Sequence, residues 1–262
     1  MSSGIWSTTL GSTHYEFTMQ LRRKAVWIAT FATSLIILTG LRSPWNYGAG
    51  TSLAIVIGNW AIVCNAFLPV VFGVLLADRL PRDRRLHLNE LFDSLPGASG
   101  SRLVGKYLGS ALATALPIFL VYLVGIAYLL IQRHDPLTIP IALAAFAAII
   151  LPGLLFVAAF SIAVPAVMWV PLYQFLFVGY WFWGNLLAPS YGIPTLSNTL
   201  LTPLGNVAAA GFFSRHSDGI QTISGNSVAT WEGALSIAIL LACAAAALLT
   251  VHRYLTWQRA RQ

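Results

Sequence analysis

The sequence predicts an all-α integral membrane protein with six transmembrane helices, an N-terminal interfacial helix and one large cytoplasmic loop. Three observations predict this fold. Hydrophobic residues make up 57% of the 262 residues and charged residues only 9%, whereas a soluble domain is about 25% charged. Long runs such as residues 136–214 contain no charge. Ten of the 23 charged residues are concentrated in residues 78–106, which we call the charged stretch.

Six runs are long and apolar enough to cross a bilayer, which takes about 20 residues of α-helix. They cover residues 25–41, 52–77, 104–131, 139–163, 172–187 and 231–254. Each run is continuously apolar and does not alternate as a barrel strand would. We therefore interpret the whole chain, residues 1–262, as a single transmembrane domain.

Residues 1–24 form a predicted cytoplasmic segment. Thr13 and Glu16 have the spacing of a capping box, a pattern that opens a helix. Apolar Phe17 follows, and then a basic triplet at positions 22–24. This pattern predicts a helix that lies along the inner membrane surface before the chain enters its first span.

Lys and Arg predict the orientation, because cytoplasmic loops carry an excess of these residues. With the N-terminus inside, twelve of the fifteen lie in cytoplasmic segments, and only Arg42, Arg133 and Arg215 lie outside. This bias predicts that both termini lie in the cytoplasm. We expect a multi-pass protein of a cell (inner) membrane, in a bacterium. The formal charge of +7 then reflects topology, so nucleic acid is not an expected partner.

The charged stretch contains one amphipathic segment, residues 86–95. Four of its apolar side chains recur at the spacing of one helix face: Leu88, Leu91, Phe92 and Leu95. Glu90 and Asp93 take the other side, and Pro96 ends the segment. A short helix of this kind can pack on a protein from the cytosol. The alternative is a solvated loop that lies against the bilayer.

A long segment, residues 188–230, follows the fifth predicted span on the outer side and is rich in Pro, Gly and Asn. Its middle, residues 199–213, is fairly apolar. Irregular backbone at membrane depth is tolerated only where it packs on protein or lines water. We expect residues 199–213 to dip part-way into the membrane on this basis.

Motifs that suggest enzyme chemistry are incomplete. Residues 100–106 match the Gly-x4-Gly-Lys of a Walker A loop, but Tyr107 replaces the Ser or Thr that holds Mg²⁺. The histidines lack the spacing of metal ligands, so we expect this chain to bind no metal and no other cofactor. Residues 97–100 match the Gly-x-Ser-Gly of rhomboid proteases. A serine nucleophile needs a base, and His252, at the inner end of the last predicted span, is the only histidine within a predicted span.

The predicted spans contain mildly polar residues but no ionisable residue near their middle. Proton- or ion-coupled transporters usually keep a carboxylate or histidine there, so we expect the energy for any transport to come from another protein. Six residues are candidates to line a translocation path: Asn59, Asn65, Tyr173, Gln174, Tyr180 and Asn185. The alternative role is hydrogen bonding between helices, worth roughly 0.6–2 kcal/mol for each residue.

Together these features resemble the membrane subunit (permease) of a type-2 ABC exporter. The resemblance extends over most of the chain and rests on a few short stretches. They are Tyr15-Glu16-Phe17 with Arg22-Arg23 before the first span, Asp78-Arg79, Glu90-Leu91-Phe92-Asp93-Ser94-Leu95-Pro96 and Gly105-Lys106-Tyr107. Residues 177–185 also look similar to such permeases.

The resemblance implies a half-transporter that is not an enzyme by itself. Its partners would be a second permease chain, in a homodimer or a heterodimer, membrane lipid, and cytosolic ATPase subunits that bind ATP and Mg²⁺. Residues 86–95 would be the coupling helix that docks on the ATPase. Eight residues would carry this contact: Arg82, Arg84, Arg85, Leu88, Glu90, Leu91, Phe92 and Asp93. An intramembrane enzyme, such as a rhomboid-like serine protease, and a non-transporting membrane scaffold are the alternatives.

Overall fold

The fold is helical throughout the part of the chain that the structure describes, and no residue of that part lies in a strand. The computed structural model describes residues 2–40, 42–48, 50–85, 99–187, 194–197, 199–214, 220, 223 and 227–261. Four stretches in it are long and apolar enough to cross a membrane: Leu53–Arg82, Gly100–Arg133, Thr138–Ala166 and Thr230–Gln258. Their length and composition are those of membrane-spanning helices.

The described part of the chain contains ten α-helices. They are α1 (Ser2–Leu21), α2 (Lys24–Leu38), α3 (Leu53–Leu76), α4 (Arg79–Arg85), α5 (Ser99–Arg133), α6 (Thr138–Ala145), α7 (Leu151–Ala163), α8 (Val170–Trp181), α9 (Asn206–Phe213) and α10 (Thr230–Arg259). The π-helical turn Phe146–Ile150 joins α6 to α7, and a second π-helical turn, Phe182–Leu186, extends α8.

All six predicted spans fall on helices, but two of these helices are short. α2 has 15 residues, and α8 has 12 residues followed by the five of its π-helical turn. By length and composition the structure therefore shows four of the six predicted spans among the described residues.

α3 is the central helix of the bundle. It contacts α2 and every described helix from α5 to α9. In its most apolar window, 72% of the residues are buried inside the protein, compared with 22% for α10. The close packing depends on small residues, because a Cβ at Gly73 would meet the Phe177 ring of α8 at 2.5 Å. α10 is thus a peripheral helix, and α3 organises the core.

The N-terminal helix is longer than the sequence predicts. The capping-box pattern predicts a helix that begins at Thr13, but α1 begins at Ser2, so this expectation is wrong. The Thr13 hydroxyl donates to the Thr9 carbonyl 2.8 Å away, one turn earlier in the same helix. Thr side chains inside helices commonly make this bond, and the capping spacing alone does not exclude it.

Residues 199–213 pack against the bundle. α9 lies against α3 and α10, and Thr202, Val207 and Ala209 are at most 1% exposed. Gly205 adopts a φ of +78° where the chain turns into α9, a conformation that glycine adopts without strain. We call residues 199–213, which the sequence predicts on the outer side, the buried outer segment. The segment is buried against other parts of the protein, and irregular backbone at membrane depth is tolerated in such surroundings.

Candidate functional site

Three charged side chains from separate helices meet, and two of them belong to the ends of the charged stretch. Glu16 of α1 lies between Arg79 of α4 and Lys106 of α5. One Glu16 oxygen, Oε2, is 3.4 Å from Arg79 Nη1, and the other, Oε1, is 3.6 Å from Lys106 Nζ. The three residues are only 7%, 3% and 7% exposed, respectively. We call this group the ion cluster.

A hydrogen bond extends the same contact along α1. Gln20 Nε2 donates to Ser110 Oγ of α5 at 2.5 Å, and both residues are buried. Gln20 lies one helical turn after Glu16, and Ser110 lies one turn after Lys106. α1 and α5 are therefore joined by polar contacts at two successive turns.

α1 packs closely on α5 at two glycines, Gly105 and Gly109. We call this contact the glycine seat of α1. A Cβ at Gly105 would come within 2.7 Å of the Ser12 side chain and 2.9 Å of the Thr9 carbonyl oxygen. A Cβ at Gly109 would come within 2.6 Å of the Thr13 carbonyl oxygen. Gly-x3-Gly is the spacing that lets two helix backbones approach closely. The sequence carries this signal at 105–109, but its pairing with α1 emerges only from the structure.

The ion cluster holds both ends of the charged stretch. Arg79 is the second residue of that stretch and Lys106 is its last. Both cations pair with the same carboxylate. The ion cluster therefore joins the two ends of the charged stretch to each other through α1.

The residues predicted to couple to a partner lie largely outside the described part. Arg82 is exposed on α4. Arg84 and Arg85 belong to the same helix, but the structure does not describe their side chains. The remaining five lie outside the described residues: Leu88, Glu90, Leu91, Phe92 and Asp93. The predicted coupling helix, residues 86–95, therefore stays a prediction.

Four of the six candidate path residues make hydrogen bonds to other parts of the chain. Asn65 Nδ2 donates to the carbonyls of Ile149 and Pro203, at 3.1 and 2.8 Å. The Tyr173 hydroxyl lies 2.8 Å from Ser161 Oγ. These bonds connect separate helices, so the residues have a structural role whether or not they also face a path.

The other candidate path residues differ in exposure. Gln174 Nε2 donates to the Val74 carbonyl at 3.1 Å, and Asn185 is buried. Asn59 is half-buried, and Tyr180 is 37% exposed. A role of any of the six in lining a translocation path stays a prediction.

Side chains from three helices anchor the buried outer segment. Asn65 of α3 donates to Pro203, as described, and Thr202 Oγ1 donates to Asn185 Oδ1 at 3.2 Å. Ser236 Oγ of α10 donates to the Leu200 carbonyl at 2.8 Å. The anchored residues are Leu200, Thr202 and Pro203, so a short part of the segment is held from three sides.

The described residues contain no group of three or more His, Cys, Asp or Glu side chains that could hold a metal ion. The position of a Cβ at Gly100 lies 3.4 Å from the His252 ring, so α10 places this histidine next to the start of α5. The Ser99 side chain is not among those the structure describes. The serine-protease alternative therefore stays open.

A comparison with models of known protein families gives no match for this chain. A comparison with curated proteins also gives no match.

Proposed function

We propose that this chain is the permease subunit of an ATP-driven ABC exporter in a bacterial inner membrane. In this proposal the chain crosses the membrane six times with both termini in the cytoplasm. It forms the translocation path with a second permease chain, and separate cytosolic ATPase subunits supply the energy. Residues 86–95 are the coupling helix, and the chain itself binds no nucleotide.

The ion cluster is the observation that supports this proposal best. A permease driven from the cytosol needs its cytosolic loop joined rigidly to its spans. Here Glu16 of α1 pairs with Arg79 and with Lys106 of α5, which lie at the two ends of the charged stretch. The stretches in which the family resemblance lies, around Glu16, Arg79 and Lys106, also meet at this point.

The apolar surface of α8 supports pairing with a second chain. Phe175 is 78% exposed, and Leu176 and Trp183 are about half exposed. These side chains form a broad apolar surface on a helix whose other side packs on α3. A second permease chain packed on this surface would place a seam between the two bundles, and substrate would leave outward along that seam.

Nucleotide binding moves such a pair by a rigid-body switch between discrete packings. Closure of the two ATPases would move residues 86–95, and the ion cluster would transmit that displacement to α1, α3 and α5. Glu90 and Asp93 would face basic groups of the ATPase, and Arg82 would steer the encounter, since surface charges mainly set orientation and association rate.

Charge reversal in the predicted coupling helix tests this function. Glu90→Lys with Asp93→Lys should abolish the stimulation of ATP hydrolysis that the reconstituted complex shows with its ATPase. Co-purification of the ATPase should fall as well, because like charges across an interface repel. The readouts are ATP turnover in proteoliposomes and the ATPase-to-permease ratio after affinity purification.

The matched control is Asp218→Lys, which reverses a carboxylate in the segment predicted to lie on the outer side. This control should retain full stimulation. Unchanged stimulation in the Glu90 and Asp93 variant would remove residues 86–95 from the proposed role. A non-transporting scaffold would instead recruit the ATPase but show no substrate-dependent turnover.

A further inference from the structure

An apolar groove of about 590 Å³ lies between the N-terminal helix and α5. On one side α1 contributes Leu10, His14 and Phe17, and on the other α5 contributes Leu112 and Phe119. Phe146 of the π-helical turn closes one end, with its ring 4.9 Å from that of Phe119. Ligand sites in proteins have volumes of about 300–1,000 Å³, so the groove has room for a bound molecule.

The groove is continuous with a surface of α5 that is covered by hydrocarbon in a membrane. Leu108 and Leu112 lie on the inner half of that helix and are 38% and 52% exposed, and Leu120 lies further along it. All three belong to a stretch long and apolar enough to cross a membrane, Gly100–Arg133. A molecule that enters the groove from this side is therefore an apolar chain from the bilayer.

A cluster of positive charge lies at the end of the same helix. α1 ends at Leu21, four residues after the groove-lining Phe17, and the basic triplet at 22–24 follows. Arg22 and Lys24 are exposed. Basic residues beside a membrane-embedded helix attract anionic lipid head groups, with about a fivefold gain in affinity for each Lys or Arg near the surface.

We propose that the groove and the basic triplet together bind one anionic phospholipid. An acyl chain lies between α1 and α5, and the phosphate lies beside Arg22 and Lys24. The bound lipid packs against the same helix that carries Glu16, so it stabilises the seat of α1 on α5. This site is independent of the ATPase partner and goes beyond the proposed function.

Native mass spectrometry of the purified full chain tests the site. The probes are phosphatidylglycerol and phosphatidylcholine with identical acyl chains. Phosphatidylglycerol should remain bound at collision energies that remove phosphatidylcholine. Arg22→Gln should lower this preference about fivefold. Arg253→Gln, which removes an exposed basic residue at the end of α10, should leave it unchanged. Equal retention of the two lipids by the unmodified chain would overturn the proposal.

A groove-filling substitution tests where the acyl chain lies. Ala115 lines the groove, so Ala115→Trp should reduce phosphatidylglycerol retention at least fivefold. Val124→Trp places the same side chain at an exposed position further along α5 and should not reduce retention. Unchanged retention in Ala115→Trp would place the lipid elsewhere.

Photo-crosslinking of the unmodified chain gives an answer that does not depend on how a variant folds. Phosphatidylglycerol with a diazirine in its acyl chain should label residues 10–17 of α1 and 112–119 of α5. Labelling spread over the lipid-facing surface, without enrichment in these two segments, would contradict a specific groove site.

Discussion

At the scale of single residues, Glu16 is a buried carboxylate held by cations from two other helices. Burial of a carboxylate costs several kcal/mol, and ion pairs offset this cost only when the geometry is good. Glu16 has a cation on each oxygen, from helices that are 63 and 90 residues away in sequence. Such a group specifies one arrangement of α1, α4 and α5, because any other arrangement leaves the carboxylate without these partners.

Replacement of Glu16 should therefore be costly. Glu16→Gln keeps the size of the side chain but removes the charge that faces Arg79 and Lys106. Loss of one partner from a buried ion pair typically costs about 3–5 kcal/mol. We expect a lower thermal unfolding midpoint in detergent, followed by intrinsic tryptophan fluorescence. Asp135→Asn, at a partly exposed carboxylate outside the cluster, should change the midpoint little.

A second substitution distinguishes this electrostatic cause from a packing defect. Glu16→Gln combined with Lys106→Met removes charge of both signs and keeps the volume. Apolar replacement of a buried pair is often close to neutral, so the double variant should recover part of the lost stability. A double variant less stable than Glu16→Gln alone would refute the electrostatic explanation.

At the scale of helices, two glycines of α5 determine where α1 lies, because neither has a Cβ. Gly105 and Gly109 let the α1 backbone approach α5 closely enough for Glu16 to reach Lys106. Close helix contacts of this kind depend on small residues and not on apolar area. The position of α1 is therefore sensitive to changes that leave its own sequence intact.

Gly109→Ala should detach α1 from α5. The new Cβ would lie 2.6 Å from the Thr13 carbonyl oxygen and 2.7 Å from the Glu16 Cβ, so the two helices must separate. Overpacking of this kind costs about 1–3 kcal/mol. Hydrogen exchange of α1 amides should become faster, whereas exchange in α10 should not change.

Gly11→Ala is the matched control within α1. A Cβ at Gly11 meets nothing within 4 Å. Alanine favours helix over glycine by about 1 kcal/mol, so this variant should slow exchange in α1 or leave it unchanged. Faster exchange in both variants would mean that α1 does not depend on the glycine seat.

Local sequence patterns predicted the helices well but not their partners. Hydropathy placed runs at 52–77 and 104–131, and the structure has α3 at Leu53–Leu76 and α5 at Ser99–Arg133. The first helix was misjudged because a threonine that bonds within a helix and one that caps it have the same spacing to a glutamate. Apolar periodicity does not predict the π-helical turn Phe146–Ile150.

At the scale of the whole molecule, the buried outer segment connects the core to the periphery. Asn65 of the central helix donates to Pro203, and Ser236 of the peripheral α10 donates to Leu200. The sequence predicted an apolar segment here and named Asn65 and Asn185 as path candidates. The sequence does not predict that both hold this segment. Asn65 pairs with backbone carbonyls, which carry no residue signature, and Asn185 pairs with Thr202, whose proximity depends on the fold.

Asn65→Leu should loosen the buried outer segment. The carbonyls of Ile149 and Pro203 would lose a donor that no apolar side chain replaces, and a buried group left unsatisfied costs about 1–3 kcal/mol. Hydrogen exchange of α9 amides should accelerate, because the free energy of local opening falls. Asn59→Leu, at a half-buried position between one and two turns earlier in α3, should have a smaller effect. Equal effects would mean that Asn65 is not an anchor.

The ion cluster can be completed only after residue 106 has been synthesised. Glu16 is made 90 residues before Lys106. At about 5–20 residues per second, the carboxylate waits roughly 5–18 seconds for its last partner. Until then it must stay in water. α1 therefore reaches its final place only after Lys106, near the start of α5, has been made.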